Sequence, residues 1–256
     1  MTKVEPLVSI ILPVCNASTH LPACLESLLR QKHDNIEIIA VDDSSKDSSV
    51  KILKEYRKFD KRVKVFINVK RYGLAITLNR ALRRAKGDFV TFMNPHDVNS
   101  VWRIKKQLDF LTKNPKVVAV GTQAVSIDEK GKHIEKTQLP TEHETIYSSF
   151  LQGLSIQLET LMINRSRIPR DLLYFVHNKY PFVYMETFIK LFQYGKIANL
   201  LQHLYYHRGK QINQTSLTKS QRTFKFIQLT AKSVAIYDYR PSLRSFFTPL
   251  LKINPS

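Results

Sequence analysis

Four short apolar segments alternate with three amphipathic segments in the first hundred residues, and this alternation restricts the fold more than any other feature of the chain. The apolar segments are rich in β-branched residues, as in buried parallel strands, whereas the segments between them repeat apolar residues at helical spacing. The predicted strands are 8–14, 36–43, 62–68 and 88–94, and the predicted helices are 21–31, 49–59 and 74–85. Strands and helices that alternate at intervals of about 25 residues predict right-handed βαβ units and an α/β fold with a parallel sheet covered on both faces.

Polar residues follow three of these strands at the edge where such a sheet binds ligands. Asn16 follows the first strand, Asp42 and Asp43 end the second, and the segment 94–97 follows the fourth. Ligands of parallel α/β sheets bind beyond the carboxyl ends of the strands, where all of these residues would lie. These loops define the predicted site of a Rossmann-like half-domain. The later, less regular pattern predicts a helix at 101–113, a strand at 117–127 and a helix at 183–194.

The charge of the chain suggests an anionic partner. Its 256 residues contain 40 Lys and Arg against 21 Asp and Glu, a net charge of +19. A positive potential of this size attracts nucleic acid, anionic phospholipid or the diphosphate of a nucleotide. A proteome-wide basic bias is the alternative explanation. Nucleic acid is the least favoured partner because the sequence lacks a helix-turn-helix, a zinc finger and an aromatic-basic RNA motif.

The cysteine content and the first residues predict a cytoplasmic protein. Cys15 and Cys24 are too few for a disulfide framework, and their spacing is not that of a zinc site. The first residues enter a strand-like segment without the features of a signal peptide, and no stretch of about 18 apolar residues occurs. We therefore expect the cytoplasm, with peripheral contact at the inner face of the membrane left open.

Four segments, in order, carry a resemblance to a known family. They read PVCN (13–16), IEIIAVDDSSKDSS (36–49), GLAITLNRALRRAKGDFVTFMN (73–94) and WRIKKQLDFL (102–111). This series resembles glycosyltransferase family 2, of the GT-A fold, over about residues 7–216. The resemblance implies transfer of a sugar from a nucleotide diphosphate donor, usually with inversion. It also implies a nucleotide-binding half (1–100) with a mainly parallel sheet and a mixed acceptor half (101–216). Beyond the resemblance we predict a basic helical tail (217–256).

The nucleoside pocket is the best preserved part of the resemblance. Pro13, Asn16 and Asp43, together with Asp42, match positions that contact the nucleoside in the family, and an Asp can accept the imide N–H of uracil. The donor would then be a uridine nucleotide. The alternative is that Asp42 and Asp43 only cap the following helix. Cys15 stands where the family usually has Tyr.

The metal motif is altered. FMNPHDV (92–98) stands where the family usually reads Phe-Leu-Asp-Ala-Asp-Asp-Ile, so Asn94 and His96 replace two acids and Asp97 keeps its carboxylate. We predict His96 and Asp97 as metal ligands and Asn94 as a nucleotide contact. Imidazole suits Mn²⁺ better than Mg²⁺. The alternative is that the metal is lost and that Lys and Arg neutralise the diphosphate.

The catalytic base is also altered. Val183 and Tyr184 fall where the family has its Glu-Asp pair, and neither is an ordinary base. Glu186 lies about one helical turn further along, displaced by roughly 5 Å, and we predict it as the base. The alternative is a salt-bridged Glu186 without a catalytic role. Leu158 stands where the family often has His, with Glu159 as the nearest polar alternative.

The segment YYHRGKQINQTS (205–216) resembles the basic loop that closes near the diphosphate in the family. His207 and Arg208 are therefore predicted to contact phosphate, for which the planar guanidinium of Arg is suited. A basic loop without a ligand is the alternative.

The tail is basic and amphipathic. From Tyr206 onward there are nine Lys or Arg and one acid, Asp238. Apolar residues recur on one helical face at Phe224, Ile227, Ala231 and Val234, and after Pro241 at Leu243, Phe246, Phe247, Leu250 and Leu251. Such a segment can lie on an anionic membrane, where lipid-linked acceptors are found. Packing on the catalytic domain or on a partner subunit is the alternative, and we favour it.

Two functions follow. The first is transfer of a sugar from a nucleotide diphosphate sugar to the hydroxyl of a polysaccharide or lipid-linked acceptor, in the synthesis of a surface polysaccharide or lipopolysaccharide. The second is a catalytically silent GT-A domain that binds a nucleotide sugar or a partner protein. The replacements at Asn94, His96, Leu158, Val183 and Tyr184 support the second. The sequence does not specify an oligomeric state.

Overall fold

A computed structural model of the chain describes residues 5–152, 155–176, 182–209 and 219–240. The strands are β1 (Val8–Val14), β2 (Ile36–Asp42), β3 (Val63–Ile67), β4 (Phe89–Phe92), β5 (Val98–Asn99), β6 (Val117–Ile127), β7 (His133–Lys136), β8 (Met162–Asn164) and β9 (Lys196–Arg208). The helices are α1 (Leu21–Leu29), α2 (Ser49–Phe59), α3 (Leu74–Leu82), α4 (Arg103–Lys113), α5 (His143–Ser149), α6 (Phe182–Ile189) and α7 (Lys219–Tyr237). Every strand and helix predicted in the first hundred residues is present, with ends that differ by a few residues.

The strands form one sheet in the order β3-β2-β1-β4-β8-β6-β9-β5, and β7 pairs with β6. β1 lies parallel to both β2 and β4, and β2 lies parallel to β3. This is the predicted parallel half. β8 then runs antiparallel to β4 and β6, so the second half of the sheet is mixed. Because the sheet continues through both halves, a boundary near residue 100 stays a prediction, and the boundary at 216 lies outside the described residues.

Successive residues of the central strands enter opposite layers of the core. Ile10 and Leu12 of β1 pack in one cluster with the apolar faces of α1 and α4. Ile11, between them, packs in the other cluster with α3 and α6. This two-sided burial explains why the parallel strands are continuously apolar instead of alternating with polar residues. The core thus holds the strands rigidly below the loops that follow them.

Gly87 lies between the end of helix α3 and the start of strand β4. The helix ends at Leu82, and Gly87 packs against β1, where its N–H donates to the Ser9 hydroxyl at 2.9 Å. A Cβ at this position would lie 2.5 Å from the Leu7 carbonyl oxygen. The glycine is therefore required by the close approach of two backbones.

Helix α7 packs on the domain through a face that the periodicity did not identify. Leu229, Thr230 and Ser233 are buried, whereas Phe224 and Ile227 of the predicted apolar face are exposed. Helix α7 thus packs on the domain, as we favoured for the tail, but the buried face is not the predicted apolar one. The apolar residues 243–251 lie outside the described part of the chain. Among the described helices, none has the length and hydropathy needed to cross a bilayer.

Candidate active site

The loops after β1, β2 and β4 meet at one edge of the sheet, because these strands are parallel and end together. Asn16 joins the first two loops. Its side-chain oxygen accepts from the Lys46 N–H at 2.8 Å, and its own N–H donates to the Ser45 hydroxyl at 2.9 Å. The thiol of Cys24 donates to the Asn94 carbonyl at 3.7 Å, which links α1 to the third loop. The loops that carry the predicted site residues are thus brought together.

Asp43 sits at the centre of the loops next to β2. Its Oδ1 accepts from the Asn68 amide at 2.7 Å and the Tyr72 N–H at 2.9 Å, and its Oδ2 accepts from the Gly73 N–H at 2.8 Å. A carboxylate has about four acceptor positions, so the donors in the described part of the chain leave one position, on Oδ2. The surrounding donors hold the carboxylate in a fixed orientation.

Gly73 provides the last of these donors because of its backbone conformation. Its φ of 88° and ψ of 169° belong to a region that residues with a Cβ rarely adopt. The next residue begins α3, so the strained position aims an N–H at Asp43 just before the helix starts. The ring of Tyr72 lies against the Arg80 guanidinium at 4.2 Å, which holds the loop from the other side.

Asp42 and Pro13 have more restricted surroundings. Asp42 is fully buried and accepts from both the N–H and the hydroxyl of Ser45, so it stabilises the turn after β2. The N-cap of α2 is Ser48, so Asp42 does not cap that helix as the alternative proposed, and its two contacts stay within the turn. Pro13 is half-buried in β1, where it pairs with Val41. Nucleotide contact by either residue stays a prediction.

Asp97 fastens strand β9 to the loop after β4. Its carboxylate, with no exposed surface, accepts from the Tyr205 hydroxyl at 2.6 Å, from His207 Nδ1 at 3.1 Å and from the Arg208 N–H at 2.8 Å. Burial lowers the pKa of His207, but the hydrogen bond and charge of Asp97 outweigh it and raise this pKa above its ordinary value. The His207 imidazole is therefore protonated more readily than that of a free histidine.

His96 lies beside a second histidine that the sequence analysis did not select. The ring centroids of His96 and His20 are 5.8 Å apart, and His20 Nε2 lies 2.8 Å from a carboxylate oxygen of Glu129. Burial lowers the pKa of His96, partly opposed by the charge of Asp97, so its imidazole is neutral near pH 7. His20 precedes α1 and has no recognisable motif, so only the fold reveals its position.

The oxygen and nitrogen atoms of the described residues are not arranged to bind a divalent cation. Both oxygens of Asp97 already accept hydrogen bonds, and the side-chain oxygen of Asn94 accepts from the His96 N–H at 3.0 Å. Among the described residues, no group of three or more His, Cys, Asp or Glu is arranged to hold a metal. Metal binding by His96 and Asp97 thus stays a prediction, and the arrangement of their neighbours weighs against it.

The guanidinium of Arg208 holds the turn between β6 and β7. Its Nη1 donates to the carbonyls of Asp128 at 2.9 Å and Glu129 at 2.7 Å, and its Nε donates to the His96 carbonyl at 3.2 Å. His207, buried beside it, keeps one ring nitrogen on Asp97. Phosphate contact by these two residues is untested, and their present contacts position the loop around His96.

Glu186 points toward helix α7. Its carboxylate is almost fully buried, and Oε1 contacts the Lys232 ammonium and the Tyr237 hydroxyl, both on α7. This is the salt-bridged alternative of the sequence analysis. Tyr184, at the family's acidic position, packs edge-on against the ring of Phe92 at 5.9 Å. A catalytic role for Glu186 stays a prediction, and its ion pair with Lys232 weighs against it.

Glu159 is a buried carboxylate close enough to Asp97 and His207 to interact with their charges. It lies in a 3₁₀ turn, is 5% exposed, and its Oε2 accepts from the Gln157 amide at 2.9 Å. Burial raises its pKa, the charge of Asp97 raises it further, and His207 and Gln157 partly oppose them. These interactions place Glu159 in the same electrostatic neighbourhood as the Asp97–His207 pair. The sequence analysis named it only as an alternative beside Leu158, whose side chain is outside the described set.

Arg103 positions Glu159 from inside the core. Its side chain is fully buried and donates to the Gln107, Asn99 and Thr91 side chains and to the Phe92 and Glu159 carbonyls. Its guanidinium also lies 5.1 Å from the centre of the Tyr205 ring. Burial lowers its pKa to about 10, so it remains charged at neutral pH. The sequence shows Arg103 only as part of an amphipathic helix.

Comparison with known proteins settles the family. Residues 9–172 match the family described as glycosyl transferase family 2. The chain belongs to glycosyltransferase family 2. An uncharacterized glycosyltransferase of Haemophilus influenzae is 36% identical over 163 residues, which cover 64% of each chain. A Bacillus subtilis family member, provisionally named teichuronic acid biosynthesis glycosyltransferase TuaG, is 32% identical over 65% of this chain and 66% of its own. The chain thus matches slightly less than two thirds of the length of these two relatives.

Solved structures of GT-A glycosyltransferases share the fold. Residues 1–349 of S. aureus TarS in complex with UDP-GlcNAc superpose with a TM-score of 0.72 at 17% identity, over 95% of this chain and 69% of that one. The mannosyltransferase PcManGT from Pyrobaculum calidifontis, in complex with GDP-Man and Mn2+, gives a TM-score of 0.67 at 17% identity, over 96% of this chain and 68% of that one. At these identities the likeness concerns the fold alone, and it confirms the predicted GT-A fold.

Proposed function

We propose that this family 2 member transfers a sugar from a uridine diphosphate sugar to an acceptor hydroxyl during polysaccharide synthesis. The observation that carries the proposal is the Asp43 carboxylate, held by three donors with one acceptor position left at the edge where β1, β2 and β4 end. The imide N–H of uracil matches that position. The UDP-GlcNAc bound by TarS and the teichuronic acid assignment of TuaG support a uridine donor and a polysaccharide or lipid-linked acceptor.

The diphosphate would lie over the loop that carries Asn94 and His96. Because the described side chains are not arranged to bind a metal, we assign recognition of the diphosphate to the neutral His96 imidazole and to the general positive charge of the chain. PcManGT holds Mn2+ with its donor, so Mn2+ is the cation to include in every assay. A divalent cation, if bound, would neutralise the diphosphate leaving group.

The proton from the acceptor needs a base, and Glu159 is better supported than Glu186. The Glu159 carboxylate has an amide partner, whereas the Glu186 carboxylate is paired with the Lys232 ammonium. In the proposed step Glu159 accepts the proton of the acceptor hydroxyl, and the acceptor oxygen forms a bond to the anomeric carbon. The bond from that carbon to the diphosphate breaks, and the nucleoside diphosphate leaves with the electron pair.

The test has a binding arm and a chemical arm. Calorimetry with UDP and with GDP, each with and without Mn2+, measures donor binding, and release of nucleoside diphosphate from UDP-sugars and GDP-mannose measures chemistry. We expect UDP to bind in preference to GDP and Asp43→Asn to weaken UDP binding at least about tenfold. Asp109→Asn is the matched control, because Asp109 is an exposed acid of α4 that pairs with Lys105. Equal binding of both nucleotides, or unchanged binding by Asp43→Asn, would contradict the proposed pocket.

The silent GT-A domain is the second candidate, because the carboxylates of Asp97 and Glu186 are both engaged in contacts within the protein. This candidate also predicts that UDP binds in preference to GDP, but it predicts no release of nucleoside diphosphate from any donor. UDP binding without release from any donor, in the presence of Mn2+ and extracts containing acceptors, would favour it. UDP release that Glu159→Gln abolishes would reject it.

A further inference from the structure

An exposed apolar stripe runs along the outer face of α7. Phe224 is 61% exposed, Ile227 59% and Val234 43%, and Ala231 between them is also exposed. These positions are three, four and three residues apart, so they lie on one side of the helix. Scattered exposed apolar residues are normal on a protein surface, but an aligned stripe indicates an interaction site.

The opposite face of α7 fixes the helix to the domain. Leu229, Thr230 and Ser233 are buried there, and the Lys232 ammonium pairs with Glu186 on α6. At the end of the helix, the Gln193 amide donates to the Tyr237 carbonyl at 2.9 Å. Because this face is already packed, the stripe cannot reach the core by a simple rotation of the helix. An occupant of the stripe would therefore come from outside the described part of the chain.

Charge identifies the chemistry of that occupant. Over its 19 residues α7 contains no acidic residue and four basic ones, Lys219, Arg222, Lys225 and Lys232, of which Lys232 is already paired with Glu186. The whole chain carries +19. A second copy would bring an equally basic helix against this one, which disfavours self-association through α7. An apolar stripe on a basic helix complements an anionic lipid surface, where the apolar side chains enter the headgroup boundary and the cations remain near the phosphates.

We propose that the outer face of α7 binds the surface of an anionic phospholipid bilayer, with Phe224 and Ile227 as the inserted side chains. Binding would place α6, which packs beside α7, close to the lipid surface. The inference does not need sugar transfer, because lipid binding can be measured without a donor or an acceptor. Its failure and the failure of the proposed function are therefore separate results.

The test is co-sedimentation of the full chain with vesicles. We expect binding to phosphatidylcholine vesicles that contain about 30% phosphatidylglycerol, little binding to phosphatidylcholine alone, and a loss of binding between about 0.1 and about 0.5 M NaCl. Phe224→Ser combined with Ile227→Ser should lower the partition coefficient by at least about tenfold, because both side chains are removed from the headgroup boundary. Lys225→Gln should lower it by a smaller factor, which salt should diminish.

The matched control is Val69→Ser combined with Ile134→Ser, since these side chains are 88% and 59% exposed on other parts of the protein. This control should leave vesicle binding unchanged, and circular dichroism should show both double variants folded. No binding to the anionic vesicles, or equal binding by the two double variants, would overturn the proposal. A dimer in light scattering that Phe224→Ser and Ile227→Ser dissociate would overturn it in favour of a second copy. Vesicle binding that appears only after removal of residues 241–256 would overturn it in favour of that segment.

Discussion

Replacing Arg103 by Lys tests whether the site is assembled from the core, as its contacts indicate. The guanidinium donates to five oxygen acceptors on four parts of the chain, namely β4, β5, α4 and the turn of Glu159. A Lys ammonium has three N–H groups on one nitrogen, so at least two buried acceptors lose their donor. Each unsatisfied buried acceptor costs about 1 to 3 kcal/mol, which gives a loss of roughly 2 to 6 kcal/mol.

The assay is denaturation by urea, read from the free energy of unfolding at an unchanged m value. The control is Arg30→Lys, because Arg30 is 72% exposed and its ion pair with Glu26 is on the surface. Its effect should stay below about 0.5 kcal/mol. A loss below about 1 kcal/mol for Arg103→Lys would refute the reasoning, since it would mean that the five acceptors find other donors.

The same variant also tests the link from Arg103 to the chemistry. Arg103 contacts Glu159 through the backbone carbonyl and does not touch the predicted nucleoside pocket around Asp43. We expect Arg103→Lys to lower kcat for sugar transfer while the KM for the donor stays nearly constant. A purely structural role would lower the amount of folded protein and leave kcat per folded molecule unchanged. A rise in donor KM without a fall in kcat would contradict the assignment of Arg103 as a positioning residue for Glu159.

Four further predictions follow from the contacts of the site. Glu159→Gln should lower kcat by at least about a hundredfold and leave UDP binding unchanged. Glu186→Gln should mainly lower the free energy of unfolding and have little effect on kcat. The reverse pattern would assign the base to Glu186. Burial raises the pKa of Glu159, so the acid limb of kcat/KM should lie above the ordinary range of a glutamate and should be absent from the residual activity of Glu159→Gln. Gly73→Ala should cost about 1 to 3 kcal/mol and weaken UDP binding, because its φ is positive and its N–H donates to Asp43; unchanged binding would show that this donor is dispensable. Asp97 holds the pKa of His207 above its ordinary value, so the pair stabilises the fold fully below the pKa of the unfolded state and loses this effect as pH rises through the pKa of the folded state. Urea denaturation across that pH range should therefore show a free energy of unfolding that falls with pH in the unaltered chain but not in His207→Gln. Parallel curves for the two proteins would contradict the assignment.

The outline of the fold follows from local patterns in the sequence. Continuous apolar segments and helical spacing are set by residues within one or two turns of each other, so β1 to β4 and α1 to α3 could be predicted from the chain alone. Once parallel strands are predicted, geometry requires that Asn16, Asp43 and the loop at Asn94 share one edge. The family resemblance rests on the same segments, which explains why it is strongest there.

The roles of the acidic residues depend on tertiary contacts. Spacing along α6 put Glu186 near the expected position of the base, but its partner Lys232 lies 46 residues later, on a helix whose docking no local pattern specifies. Glu159 becomes a candidate because Arg103, which is 56 residues earlier, holds its backbone inside the core. In the same way, periodicity identified an apolar face on α7 but not its direction, since a helix with apolar residues on two sides can pack through either one. Sequence periodicity reports which residues share a face, whereas only the packing of distant segments decides which face is buried and which carboxylate remains available to a ligand.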